Sequence, residues 1–171
     1  MTLRFAFPAL LAVAACKQAP TPVTPGLCPE SGDPVVEATQ GDGWGFDDGD
    51  PIQFGIPPQG GAPYAPFDLR LIGLAASDTY RVITEATRQS DQLLVGEGQY
   101  NQRFVCANVG DNAGTRFSSE FHMRFFGYEP DELAGDWVDI EISVTPEGGD
   151  PVVTTFSGPL DWVLGPMPDP I

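Results

Sequence analysis

Residues 136–144 read DWVDIEISV. From Val138 onward every second residue is branched and apolar: Val138, Ile140, Ile142 and Val144. Asp139, Glu141 and Ser143 fill the gaps. Side chains of a strand point alternately to its two faces, so this period of two sends the apolar set to a core and the acids to water. β-branched residues fit a pleated surface and are stiff in a helix. A helix would also scatter these residues around its circumference, so the stretch is a half-buried strand.

The same pattern recurs on both sides. Downstream, TPEGGDP (145–151) suits a hairpin, and PVVTTFSG (151–158) and LDWVLG (160–165) continue as strand. Upstream, EPDELAG (129–135) is the one helical stretch. It has Pro130 at an early position, acids near its start and Gly135 at its end. In FSSEFHMRFF (117–126), simple alternation puts Phe117, Phe121, Met123 and Phe125 on one face. Ser118, Glu120, His122 and Arg124 fall on the other. RFVCANV (103–109), LLVGEG (93–98), TYRVITEAT (79–87), FDLRLIGL (67–74), IQFGI (52–56) and VVEAT (35–39) complete about nine strands. Phe67, Leu69, Leu71, Tyr80 and Val82 are the inward residues of their segments. Gly 20 and Pro 18 punctuate the chain heavily. No strand–helix alternation appears, which excludes a nucleotide-binding parallel sheet.

This all-β pattern resembles a single immunoglobulin-like β-sandwich of about nine strands, with one short helical turn near 129–135. The Cys…Trp…Cys arrangement of true immunoglobulin domains is absent, so the resemblance is one of architecture. The tryptophans are Trp44, Trp137 and Trp162.

The start of the chain has another character. Arg4 precedes an apolar run at residues 5–15 that is too short to span a bilayer as a helix, which takes about 20 residues. Small residues close the run before Cys16, as in an export signal. Val13-Ala14-Ala15-Cys16 resembles the lipobox of bacterial lipoproteins. The resemblance implies that Cys16 takes a diacylglycerol and that the signal is cut before it. Two or three acyl chains make a stable anchor where one does not. Lys17, rather than Asp, follows the cysteine; the family's sorting habits then imply the outer membrane. Residues 17–33 are rich in Pro, Thr, Ser and Gly and read as an extended tether. The expected organisation is a signal peptide at 1–15, a lipidated Cys16 and tether through 33, a sandwich at 34–166 and a tail at 167–171. The lipobox, the tether and DGDPIQFGIPPQGGAPYAPFDLRLIGL (48–74) together resemble a group of uncharacterised bacterial surface lipoproteins with a Pro-Gln-Gly-Gly turn before a strand. That group brings no known activity with it.

Cys28 and Cys106 remain once Cys16 is assigned. In an oxidising compartment they are expected to pair as a disulfide between tether and domain. The 24 acidic residues against 8 basic ones give a net charge of −16. Such a surface repels nucleic-acid phosphates and anionic headgroups, so no nucleic-acid partner is expected.

Four places could carry chemistry. GDGWGFDDGDP (41–51) holds Asp42, Asp47, Asp48 and Asp50 on a glycine-rich backbone, the kind of oxygen set Ca²⁺ takes, although without the register of an EF-hand. Asp111 and Asn112 form a second oxygen-rich loop. IPPQGGAPYAP (56–66) is stiffened by four prolines and could present Tyr64, with Trp44, to a sugar; its structural reading is a long sandwich connection. His122, the sole histidine, and the paired acids Asp139 and Glu141 are the candidates for hydrolysis, but an outward strand face bears such residues anyway. The expectation is therefore a lipid-anchored envelope protein of binding or structural type. It has no catalytic residue and no cofactor, and its partners are the membrane through Cys16 and envelope proteins or surface glycans. A Ca²⁺-dependent or carbohydrate-binding module is the first alternative and a hydrolase the second.

Overall fold

A computed structural model describes residues 28, 32–41, 45–107 and 114–163. Among them are nine strands and one short helix. In chain order these are β1 (Val35–Thr39), β2 (Ile52–Phe54), β3 (Tyr64–Ile72), β4 (Tyr80–Arg88), β5 (Leu94–Gln102), β6 (Val105–Cys106), β7 (Arg116–Arg124), α1 (Pro130–Leu133), β8 (Trp137–Pro146) and β9 (Val152–Trp162). No helix among the described residues is long and apolar enough to cross a membrane.

The strands form two layers. In the first, β1, β3 and β7 are antiparallel neighbours with β6 beyond β7. In the second, β5, β4, β8 and β9 are antiparallel neighbours and β2 joins β9 in parallel. The layers touch at both edges. Glu97 of β5 faces Arg124 of β7, and Gly55 exchanges backbone hydrogen bonds of 3.0 and 2.9 Å with Tyr64. In immunoglobulin lettering the first sheet is A-B-E-D and the second A′-G-F-C-C′. The fold is an immunoglobulin-like β-sandwich, and α1 makes the E-to-F crossing.

The alternation read from the sequence builds the core. Val138, Ile140, Ile142 and Val144 of β8 are buried, as are Phe67, Leu69 and Leu71 of β3 and Tyr80 and Val82 of β4. Tyr80 is fully buried and its hydroxyl is satisfied. It donates to the Ala75 carbonyl at 2.7 Å and accepts from Ser77 N–H at 3.1 Å and Arg116 Nε at 3.0 Å. The helix starts as its sequence predicts: the Glu132 carboxylate accepts the Glu129 N–H at 2.9 Å, and Gly135 takes a φ of 86° just beyond the end.

Two departures from simple alternation are β-bulges. In β7 the register against β3 steps from Phe67↔Phe121 to Leu69↔Ser118, so residues 119 and 120 oppose Asp68 alone. An extra residue flips the parity of everything beyond it. Ser118 is therefore buried at 8% exposure, and Phe117 leaves the core, where strict alternation had placed the reverse. Ser118 does not share the face of His122; its hydroxyl takes a hydrogen bond from Gln102 at 2.5 Å. The second bulge lies in β5, between its pairings with Ala86 and Thr87. Inward positions of this strand are Gly96 and Gly98. A Cβ at Gly96 would stand 2.9 Å from the Phe125 ring, and one at Gly98 2.8 Å from Thr84 Oγ1 and 2.9 Å from the His122 carbonyl.

Proline at position 66 of an interior strand also has a local reason. The pairing of β1 with β3 ends at Thr39↔Asp68, so β3 is uncovered at Pro66. The Gln40 amide takes the place of the missing strand. Its Nε2 donates to the carbonyls of Pro66 and Gln53, both at 2.8 Å, and its Oε1 accepts Gln53 N–H at 2.7 Å.

The sandwich has two distinct ends. One carries Tyr80, Pro146, the start of β1, Arg116 and Cys106. There Cys28 is bonded to Cys106, with Cα atoms 5.8 Å apart and a sequence separation of 78. The other end carries Arg88, α1, Trp137 and Trp162. Arg88 holds it together by donating to Asp91 at 3.0 and 2.6 Å and to Asp136 at 3.1 Å, with Tyr128 beneath the guanidinium at 5.6 Å.

Candidate functional site

Of the aspartates in the 41–51 loop, Asp47, Asp48 and Asp50 lie within the described residues; Asp42 and Trp44 lie outside them, as do Cys16, Asp111 and Asn112. The loop is docked on β9. Gly49 N–H donates to the Ser157 carbonyl at 2.7 Å, and Asp48 Oδ1 accepts the Ser157 N–H and hydroxyl, both at 3.2 Å. Asp50 Oδ2 accepts Asp47 N–H at 2.9 Å, and Asp50 N–H returns to the Asp47 carbonyl at 3.0 Å. Asp48 and Asp50 thus each bind the fold with one oxygen. Among the described residues no three His, Cys, Asp or Glu side chains gather as a metal centre requires.

Tyr64 is half-buried on the outer face of the first sheet, where its ring lies 4.7 Å from the His122 imidazole. The turn before it closes through Gly60 N–H to the Pro57 carbonyl at 2.8 Å. Asp139 and Glu141 project from the opposite sheet. His122 and these two acids therefore lie on different faces and form no joint constellation.

What the second sheet does assemble is an outward surface in register rows. One row runs Glu97, Glu85, Glu141 and Thr155 across β5, β4, β8 and β9. Among the described residues no ion pair reaches any of these three glutamates. Like charges directly opposite one another repel, so this row costs stability. The next row, toward the α1 end, is Thr87, Asp139 and Ser157. Asp139 Oδ1 accepts the Gln89 side-chain amide at 2.6 Å, and Ser157 is held by Asp48.

Beyond that row stands Trp137, opposite Pro159. Trp137 is 48% exposed. It crosses the outer face of β9, since a Cβ at Gly49, on the far edge of that strand, would meet Trp137 Cη2 at 3.8 Å. On the other side of Pro159 an open cleft of about 530 Å³ is lined by Pro51, Gly135, Pro159, Asp161 and Trp162. Trp137 was legible only as an outward aromatic at the head of the strand that decides the fold. That β9 and the 45–50 loop bring Asp48 and Ser157 beside it is a tertiary fact.

No protein-family model matches the chain, and no curated protein matches it either.

Proposed function

We propose that this chain is a lipid-anchored protein of the cell envelope, held in the outer membrane, with a binding or structural role and no catalysis. The observation that carries the reading is the fate of the cysteines. Cys28 and Cys106 are bonded to each other, which leaves Cys16 at the end of an apolar run, in Val-Ala-Ala-Cys. A disulfide fits an oxidising compartment. A thiol placed after small residues and before a Pro-rich tether fits acylation and tethering.

The hydrolase alternative has less support. The His122 ring packs at a tilt against Tyr64 in the first sheet, whereas the open cleft belongs to the second. Ca²⁺ binding by the aspartate loop has less support as well, since no three carboxylates gather there among the described residues.

The test is metabolic labelling of cells expressing the full chain with an alkyne fatty acid, followed by membrane fractionation. The wild type should carry the label and sediment with the outer membrane. Cys16→Ser should lose the label and leave the membrane fraction. An unlabelled, soluble wild-type protein would sink the reading.

A further inference from the structure

We infer that the outer face of β8 and β9 at the α1 end binds a neutral oligosaccharide, with Trp137 as the stacking platform. This names a ligand class for the binding role proposed above and rests on that reading. A sugar ring presents an apolar C–H face and a rim of hydroxyl groups. It is recognised by an aromatic plane with hydrogen-bonding groups around its edge. Both parts are here. Trp137 is 48% exposed, and the tip of its indole lies beside Gly49, 3.8 Å from where a Cβ would stand. Asp139, Gln89, Asp48 and Ser157 lie around it, tied to one another in pairs at 2.6 Å and 3.2 Å.

Those pairings leave work for a ligand to do. Asp139 and Asp48 are exposed and each uses Oδ1 within the protein, which leaves Oδ2 of each without a hydrogen bond among the described residues and able to accept a hydroxyl. The groups are held in place before binding, which lowers the ordering cost. The cleft lined by Pro159, the residue opposite Trp137 in register, has Trp162 and Asp161 in its wall and offers about 530 Å³, room for a further ring.

Charge selects among ligands. The surface near the indole carries Asp48, Asp139 and Asp161, with the unpaired row Glu97–Glu85–Glu141 beside it, and the chain as a whole carries −16. Sulfated and uronic-acid glycans are repelled, while neutral glycans donate to the carboxylates. A protein partner is less well matched. A stable protein interface buries on the order of 800 Å² per side around a desolvated core. Here the aromatic is bordered by carboxylates with no cation paired to them among the described residues.

The test uses the full lipidated protein in a detergent without a sugar headgroup, titrated calorimetrically with cellopentaose, maltopentaose, xylopentaose and N-acetylchitopentaose. A hyaluronate oligosaccharide serves as the anionic control. At least one neutral glycan should bind and the hyaluronate should not. Trp137→Ala should weaken binding at least tenfold, and Asp139→Asn, which keeps the side-chain shape, should weaken it severalfold; melting curves report that each variant is folded. No heat from any neutral glycan at about 10 mM, far above the weakest useful affinity, overturns the inference. So does binding that survives Trp137→Ala. A photo-crosslinker in place of Trp137, used in cells, separates the two readings: capture of a polypeptide alone overturns the glycan inference and leaves the binding role standing. Loss of the envelope role would show independently, in the Cys16→Ser fractionation.

Discussion

Gly158→Ala is the substitution that tests how the 45–51 loop is held. Gly158 is buried in β9, and a Cβ there would fall 2.0 Å from the Asp50 carbonyl oxygen and 3.1 Å from its carbon. The ordinary contact begins near 3.4 Å, so the methyl is 1.4 Å too close, and the obstacle is backbone. β9 is fixed by its register with β8 on one side and β2 on the other, so the loop yields. Yielding loses Gly49 N–H to the Ser157 carbonyl, both Asp48–Ser157 hydrogen bonds and the Phe46 ring stacked on Phe156 at 4.3 Å. Partly exposed hydrogen bonds contribute about 0.5 kcal/mol each, at the low end of the range. The stacked pair and the area it buries add about 1.5 kcal/mol. The sum is about 3 kcal/mol, or a fall in Tm of about 10 °C for a domain of this size. Calorimetric melts of the oxidised protein measure it, with Gly41→Ala as the control, since a Cβ there meets nothing within 4 Å. A Gly158→Ala protein melting within about 2 °C of wild type would refute the docking of this loop, because a change smaller than a single hydrogen bond leaves no room for a backbone shift.

Other perturbations probe separate parts of the fold. Replacing Cys28 and Cys106 by Ser releases a crosslink spanning 78 residues, which the chain-entropy relation values at about 4.5 kcal/mol; melts with and without reductant should differ for the wild type and coincide for the variant. Thr84 is fully buried and its Oγ1 has no hydrogen-bond partner among the described residues. Thr84→Val should therefore raise stability by about 1 kcal/mol in a urea titration, and a loss of similar size would show that the hydroxyl has a partner. The Asp91 carboxyl is held below the ordinary carboxylate range, chiefly by the hydrogen bonds from Arg88. A depressed carboxylate stabilises the fold above its unfolded pKa, and the contribution is lost as pH falls through the folded one. The stability gap between wild type and Asp91→Asn should therefore be present at neutral pH and close in acid. An Asp91 carboxyl titrating by NMR at an ordinary value would contradict the pairing.

Where one side-chain period ran undisturbed, the fold was legible. Val138 to Val144 could lie in one way only, and the turn at 147–149 fixed the hairpin to β9. The bulge in β7 was not legible, because Phe117 looks like a core residue and Ser118 a surface one. The decision belongs to the register with β3. Nor was the length of β5: the strand read over 93–98 runs on to Gln102, and Gly96 and Gly98 are what the Phe125 ring and the His122 carbonyl leave room for. Gln40 gives no local sign that its amide will stand in for a strand. Trp137 is similar. Whether an outward aromatic is covered depends on which loop crosses the neighbouring strand, and the 45–50 segment is far away in sequence.

In the proposed envelope setting, the placement of the two ends relates the anchor to the candidate glycan surface. The disulfide fastens the chain before β1 to β6, at the Tyr80 end of the sandwich. Trp137 opens β8, and Pro146 closes it at that same Tyr80 end. Ten residues of antiparallel strand extend about 30 Å, so the indole stands about that far from the staple. Without the disulfide, the tether would join the domain at β1 alone, and β1 is a five-residue edge strand. Edge strands are the least secured part of a sheet. With the disulfide, the exit of the tether is fixed at one pole and the candidate glycan surface lies near the other. In the proposed envelope setting, a lipid on Cys16 then leaves the Trp137 end directed away from the membrane. The acidic rows of the second sheet favour the same arrangement, since anionic headgroups repel them.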